Sequence, residues 1–229
     1  GLGALTKFTP ALIFGAMLRY QKPSRFIKIG AVALGLFALV YIILIANASA
    51  NDKDTRFVTT SLTAQFGKAS YQTVWALLDG NYRTGNFGSV ESHYDLSAAD
   101  ALYGNPPVIP SWIRLAVAGI IGLFIFITTR RYDDKGFVAF VTITVIIFFL
   151  QTQGWSPQWL AQIIPLMLLC FPTKNGILTS LILAGVTFIE YPVLFIRTGD
   201  TGGEITGALV TPFVALILIR TLILVLLCV

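Results

Sequence analysis

Charge is scarce in this chain. Only 12% of its 229 residues are Asp, Glu, Lys or Arg, against about 25% in a soluble domain. Histidine occurs once, at His93, so no His-based metal cluster can be assembled, and His93 reads as a solvated loop residue. There are two cysteines, Cys170 and Cys228. Both lie in apolar runs without metal-ligand spacing and read as small buried hydrophobes. No P-loop, GxSxG or HExxH pattern occurs, which removes the common signatures of nucleotide binding, serine hydrolysis and zinc proteolysis. No internal repeat is visible, nor the paired broken helices of an inverted-repeat transporter.

Apolar residues are abundant instead: 55% of the chain, with a mean hydropathy of +0.78. They come in long blocks separated by short polar ones, the pattern of a polytopic helical membrane protein. The fold class expected is all-α, a transmembrane bundle of about six spans plus a broken N-terminal segment, forming one domain over 1–229. The spans fall at 29–47, 112–129, 136–151, 158–172, 176–196 and 207–228. Residues 2–18 form the broken segment, interrupted by Lys7 and Pro10. The chain opens GLGALTKFTP, without Met or a basic leader, and ends LVLLCV inside an apolar run. It therefore reads as the C-terminal piece of a longer chain and not as a signal peptide followed by a domain.

Charge asymmetry orients the spans. The links at 19–28, 129–135 and 172–176 hold Arg19, Lys22, Arg25, Lys28, Arg130, Arg131, Lys135 and Lys174. The longer intervals 48–111, 152–157 and 198–206 hold only Lys53, Arg56, Lys68 and Arg83, with most of the acids. The positive-inside bias places the first set in the cytoplasm and the second outside. The net charge of +5 is explained by those cytoplasmic links, so no nucleic-acid partner is expected. The same parity puts the long loop 48–111 on one face with the links QTQGWSP and TGDTGGE, where they can build one site.

Within the loop, YQTVWALLDGNYRTGNFG spans Tyr71 to Gly88. Tyr71, Val74, Trp75 and Leu78 follow helical spacing, and Asp79-Gly80-Asn81 is a turn signal. The expectation is a short interfacial helix ended by glycine. Two readings stay open. The stretch is an anchor with a tidy cap, or a ligand loop in which Trp75 and Tyr82 stack on a sugar while Asp79, Asn81 and Arg83 bond hydroxyls or phosphate.

The second cluster is GWSPQWLAQIIP, Gly154 to Pro165. Pro157 suits a first helical turn with Ser156 as N-cap. Trp155, Trp159 and Gln162 then share a face, and Gln158 lies one turn from Gln162. An aromatic belt is the plain reading; a site at an outward helix start is the other. Three charges sit inside apolar runs: Lys7, Glu190 and Arg220. Each is costly there and reads as functional, or as snorkelling near a span end. Lys7, three residues before Pro10, suits a phosphate beside a broken helix. Arg220 is expected to snorkel inward or to meet a lipid phosphate. Glu190 is expected to pair with an outer cation or to act in catalysis.

Three pieces together resemble the GT-C superfamily of polytopic glycosyltransferases. They are GALTKFTPALIFGAMLRYQK, GWSPQWLAQIIPLMLL and the YQTVWALLDGNYRTGNFG loop. The first is similar to a mannosyltransferase-like segment in which a polar residue precedes Pro, an apolar run and basic residues. The resemblance implies an inverting transfer of a sugar, such as mannose, from a polyprenyl-phosphate donor to a hydroxyl of a glycan, lipid or protein acceptor. It implies membrane lipid as a partner, in the plasma membrane of a prokaryote. A carboxylate would deprotonate the acceptor, and cations with helix N-termini would stabilise the leaving phosphate. The family's base lies in an earlier outer loop, so it is expected upstream of residue 1. Lys7 would serve the phosphate, with Arg220 a further candidate. Trp155, Ser156, Gln158, Trp159 and Gln162 would form the donor pocket, and Asp79, Asn81, Tyr82 and Arg83 the outer cavity. No cofactor is assigned and a divalent metal stays open. The competing reading is a transporter or lipid-linked oligosaccharide flippase, which would need a polar path through spans that are nearly devoid of polar groups.

Overall fold

The computed structural model describes residues 9–56, 58, 68–85, 103–198 and 203–228. Lys7, His93 and the stretches 59–67 and 86–102 of the long loop lie outside the described residues. The described chain is all-α, with two isolated β-bridges and no named strand.

A 3-10 turn at Thr9–Leu12 leads into α1, Ile13–Tyr20. Lys22 is extended, as a residue before proline must be, and Pro23 opens α2, Pro23–Ala50. The outer segment contains α3, Val74–Asp79, capped by the Thr73 hydroxyl accepting from Ala76 N–H at 3.2 Å. Gly80 ends it at φ 72°, a left-handed conformation suited to glycine. The sequence expectation of a short helix closed by that glycine matches. Tyr71 falls before the helix, in extended chain paired with Gly154.

The bundle continues with α4, Ser111–Thr128, and α5, Asp134–Gln151, whose first turn is capped by Asp133. A 3-10 turn, Pro157–Trp159, precedes α6, Leu160–Cys170. Next come α7, Lys174–Phe188, a π-helical turn at Ile189–Val193, and α8, Leu194–Arg197. A 3-10 turn, Gly207–Leu209, precedes α9, Val210–Leu226.

Among the described residues, five helices are long and apolar enough to cross a membrane: Pro23–Ala50, Ser111–Thr128, Asp134–Gln151, Lys174–Arg197 and Gly207–Leu226. This marks an integral membrane protein. The sixth expected span is a shorter apolar helix, Pro157–Cys170. At 1.5 Å per residue it is roughly 21 Å long, short of a hydrocarbon core of about 30 Å. Pro165 lies inside it and does not end it.

Helix α5 is the hub, in contact with α1, α4, α6 and α9. It buries Phe140, Val141, Val145, Ile146 and Phe149, and 39% of it is buried, against 6% of α4. Helix α2 has no buried residue at all. In lipid an apolar face gains nothing by leaving the solvent, so the most apolar helices need not be the central ones.

Backbone contacts sort the links to two ends. Arg19 donates to the carbonyls of Phe126 and Thr129, and Tyr20 Oη donates to Arg131 O at 2.8 Å. Tyr71 N donates to Gln153 O at 2.9 Å, and Thr84 N to Gly203 O at 2.9 Å. The first set gathers 19–20 with 126–132; the second gathers 71–84 with 150–154, Thr198 and 203–205. We name these ends inner and outer from the charge bias.

Candidate functional site at the outer end

Side chains of α3 and its cap help hold the outer segment onto the bundle. Trp75 Nε1 donates to Leu150 O at 2.7 Å, and the Thr73 hydroxyl donates to Gln153 O at 3.3 Å. Just before them, at Tyr71, the chain passes close to Gly154. A Cβ at that position would lie 2.2 Å from the Tyr71 ring, far inside van der Waals contact, so the approach requires glycine. Further on, Ile205 N donates to Tyr82 O at 2.8 Å, and the Thr84 and Thr198 hydroxyls meet at 3.1 Å.

Beneath this junction lies a buried ionic centre. Arg220, 2% exposed, forms an ion pair with Glu190, 0% exposed. Its other terminal nitrogen donates to the Gln72 carbonyl, and its guanidinium lies 4.3 Å from the Trp155 ring centroid. Glu190 sits in the π-helical turn beside Pro192, a distortion that is frequent at functional sites. Arg220 therefore does not snorkel inward. The cost of an unpaired buried charge favours the carboxylate, carbonyl and ring available on the outer side. The expected outer cation for Glu190 is Arg220 itself. Among the described residues, Glu190 Oε1, Trp155 Nε1, Thr187 Oγ1 and both side-chain polar atoms of Gln72 have no hydrogen-bond partner. A cavity of about 10 Å³ beside Arg220, walled by Thr73, Phe149 and Trp155 among others, has room for about one water.

Asp79 and Asn81 are tied inward. Asp79 accepts from the Ser70 hydroxyl and, through Oδ1, from Val108 N–H at 2.7 Å. Asn81 Nδ2 donates to Ser70 Oγ at 3.2 Å and Asn105 O at 3.0 Å, and its Oδ1 accepts from Asn105 N at 2.7 Å. These bonds close the outer segment on 104–108. The carboxylate is only 7% exposed, so it has the surroundings of a structural group.

The aromatic cluster at the start of α6 is assembled on α5. Trp159 stacks on Phe149 with centroids 4.3 Å apart, and Trp155 meets Trp159 edge to face at 5.4 Å. Ser156 occupies the N-cap position but makes no side-chain cap bond. The helix starts instead as a 3-10 turn, with Trp159 N–H donating to Ser156 O at 3.0 Å. Gln158 is exposed. Gln162 Nε2 donates to Thr9 Oγ1 at 3.0 Å, which joins α6 to the N-terminal segment two residues after Lys7.

One open cleft, of about 260 Å³, lies where the outer segments meet. It is lined by Gly80, Asn81, Tyr82, Arg83, Gly104, Asn105, Glu204, Ile205 and Thr206. Arg83 pairs with Glu204 through an antiparallel bridge. Asn105 and Glu204 were not singled out from the sequence. The signal for Glu204 was its place in the same outward link, TGDTGGE; Asn105 lies in a Gly-Asn-Pro-Pro turn that carries no such mark. Among the described residues no group of His, Cys, Asp and Glu is placed to hold a metal ion.

No protein-family model, no curated protein and no solved structure matches the chain.

Proposed function

We propose that the chain is a membrane glycosyltransferase, or the C-terminal part of one. It would transfer a hexose, such as mannose, from a polyprenyl-phosphate donor to an acceptor hydroxyl at the outer end. The observation that supports this is the convergence of three outward segments on one open cleft. An aromatic ring, a cation, an amide and a carboxylate (Tyr82, Arg83, Asn105 and Glu204) are the groups that recognise hydroxylated ligands. The cleft stands at the head of a bundle whose peripheral helices are free to meet a lipid tail.

In the proposed reaction a carboxylate takes the acceptor proton as the oxygen attacks the anomeric carbon, and the lipid phosphate leaves with the bonding pair. Asp79 and Glu190 are both internally bonded, so the base is sought in another carboxylate. The Gln162–Thr9 bond supports a donor position between α6 and the N-terminal segment, with Lys7 offered to the phosphate and Gln158 and Trp159 to the donor pocket. Sugar transfer from polyprenyl-phosphate mannose by the full-length protein tests the reading. Absence of transfer from that donor and from its glucose and galactose counterparts overturns it. Unchanged activity in both Lys7→Ala and Gln158→Ala overturns the donor assignment alone.

A further inference from the structure

The inner end carries a concentration of exposed cations. Lys22 caps α2 and Arg25 and Lys28 lie on its first turns, Arg130 and Arg131 lie between α4 and α5, and Lys135 lies in the first turn of α5; all six are exposed. The structure brings the two groups together: Arg19 donates to Phe126 O and Thr129 O and lies 4.9 Å from the Tyr132 ring centroid, and Tyr20 bonds Arg131 O. The acids on this surface are Asp133 and Asp134. Asp133 is already engaged by Arg131 at 2.7 Å and by Gly136 N–H at 2.8 Å. Among and just beyond the α2 cations, Ile27 and Val32 are 65% and 64% exposed. Tyr132 is 65% exposed, as interfacial aromatics are.

We propose that this surface binds the headgroups of anionic phospholipids of the adjoining leaflet, with α2 presenting the acyl-chain track below them. A phosphodiester would meet several cations from two links at once, while its tail lies along a helix that buries no side chain. The geometry needs both halves. The cations alone would hold any polyanion, but the apolar face directly below them suits an amphiphile.

The test uses the full chain in nanodiscs of phosphatidylcholine with about a third phosphatidylglycerol, with co-purifying lipid counted by native mass spectrometry. The wild type should retain phosphatidylglycerol in preference to phosphatidylcholine, and the preference should fall as salt is raised, because exposed charges are screened. The triple variant Lys22→Gln/Arg25→Gln/Lys28→Gln should lose on the order of a hundredfold of that preference, from three surface cations. Lys53→Gln, at the other end, should keep it. Equal retention of the two lipids by the wild type, or a preference indifferent to salt, overturns the proposal without any variant. Displacement of the lipid by millimolar inorganic phosphate also overturns it, since the surface would then be a phosphate site and not a lipid one.

Discussion

Trp155 lies under the guanidinium of Arg220, 4.3 Å from ring centroid to Cζ, while the same guanidinium is paired with Glu190. One side chain thus ties α9 to the π-helical turn after α7, to the link before α6 and, through Gln72 O, to the outer segment. The outer end is held together by a buried charge whose partners come from three separate segments. Removing one partner of such a pair leaves an uncompensated ion and typically costs about 3–5 kcal/mol. Arg220→Met and Glu190→Gln should each destabilise the detergent-solubilised protein by that order. The double variant should lose clearly less than the sum. Additive losses in thermal unfolding would mean that the two residues do not interact.

The Tyr71–Gly154 approach gives a sharper test of how the outer segment docks. Gly154→Ala places a methyl 2.2 Å from the Tyr71 ring, and overpacking of this kind costs roughly 1–3 kcal/mol. Hydrogen exchange should accelerate at 71–79 while α5 stays protected. Adding Tyr71→Ala should relieve the clash. Unaltered exchange in Gly154→Ala would show that the segment docks elsewhere.

Asp79 separates architecture from catalysis. Asp79→Asn replaces an acceptor-only group that takes bonds from Ser70 and Val108 N–H. A buried partner left unsatisfied costs about 1–3 kcal/mol. Limited proteolysis should then cut within 103–108, and any loss of activity should track that opening. Full activity loss with an unopened segment would make Asp79 a catalytic group instead.

Burial raises the Tyr71 phenol above its ordinary value of 10.0, and neighbouring Tyr191 adds to the rise. A folded-state value above the unfolded one leaves stability intact below about pH 10 and removes it as pH climbs through the folded value. Tyr71→Phe should therefore behave as wild type at pH 7 and lose less stability than wild type above pH 10. Identical alkaline unfolding midpoints would contradict this.

Much of this architecture is legible from residue order. Long apolar blocks announce the spans, Gly80 marks the end of α3, and the basic links after α1 and after α4 meet at one end. What the order of residues does not carry is which span is central. Helix α2 is the most apolar and buries nothing, while α5 is the least apolar of the five and buries most, because hydropathy measures preference for lipid and not for another helix. Arg220 points to partners at 72, 155 and 190, contacts too distant in sequence for any local pattern to encode. Asp79 and Asn81 beside Gly80 suit a ligand loop and a closed turn equally well; only the bonds to Ser70, Asn105 and Val108 show how they are engaged.

The transfer of sugar proposed for this protein takes place in the cleft between Tyr82, Arg83, Asn105 and Glu204. It is tested most directly by timing mannose transfer from polyprenyl-phosphate mannose by the full-length protein and by Arg83→Gln, Asn105→Ala and Lys53→Gln, each checked for an unchanged melting temperature. Loss of a charged hydrogen bond of about 1.5–3 kcal/mol predicts a fall of roughly tenfold or more in Arg83→Gln. A smaller fall is expected in Asn105→Ala and none in Lys53→Gln. Equal rates in all four proteins would place the chemistry outside this cleft.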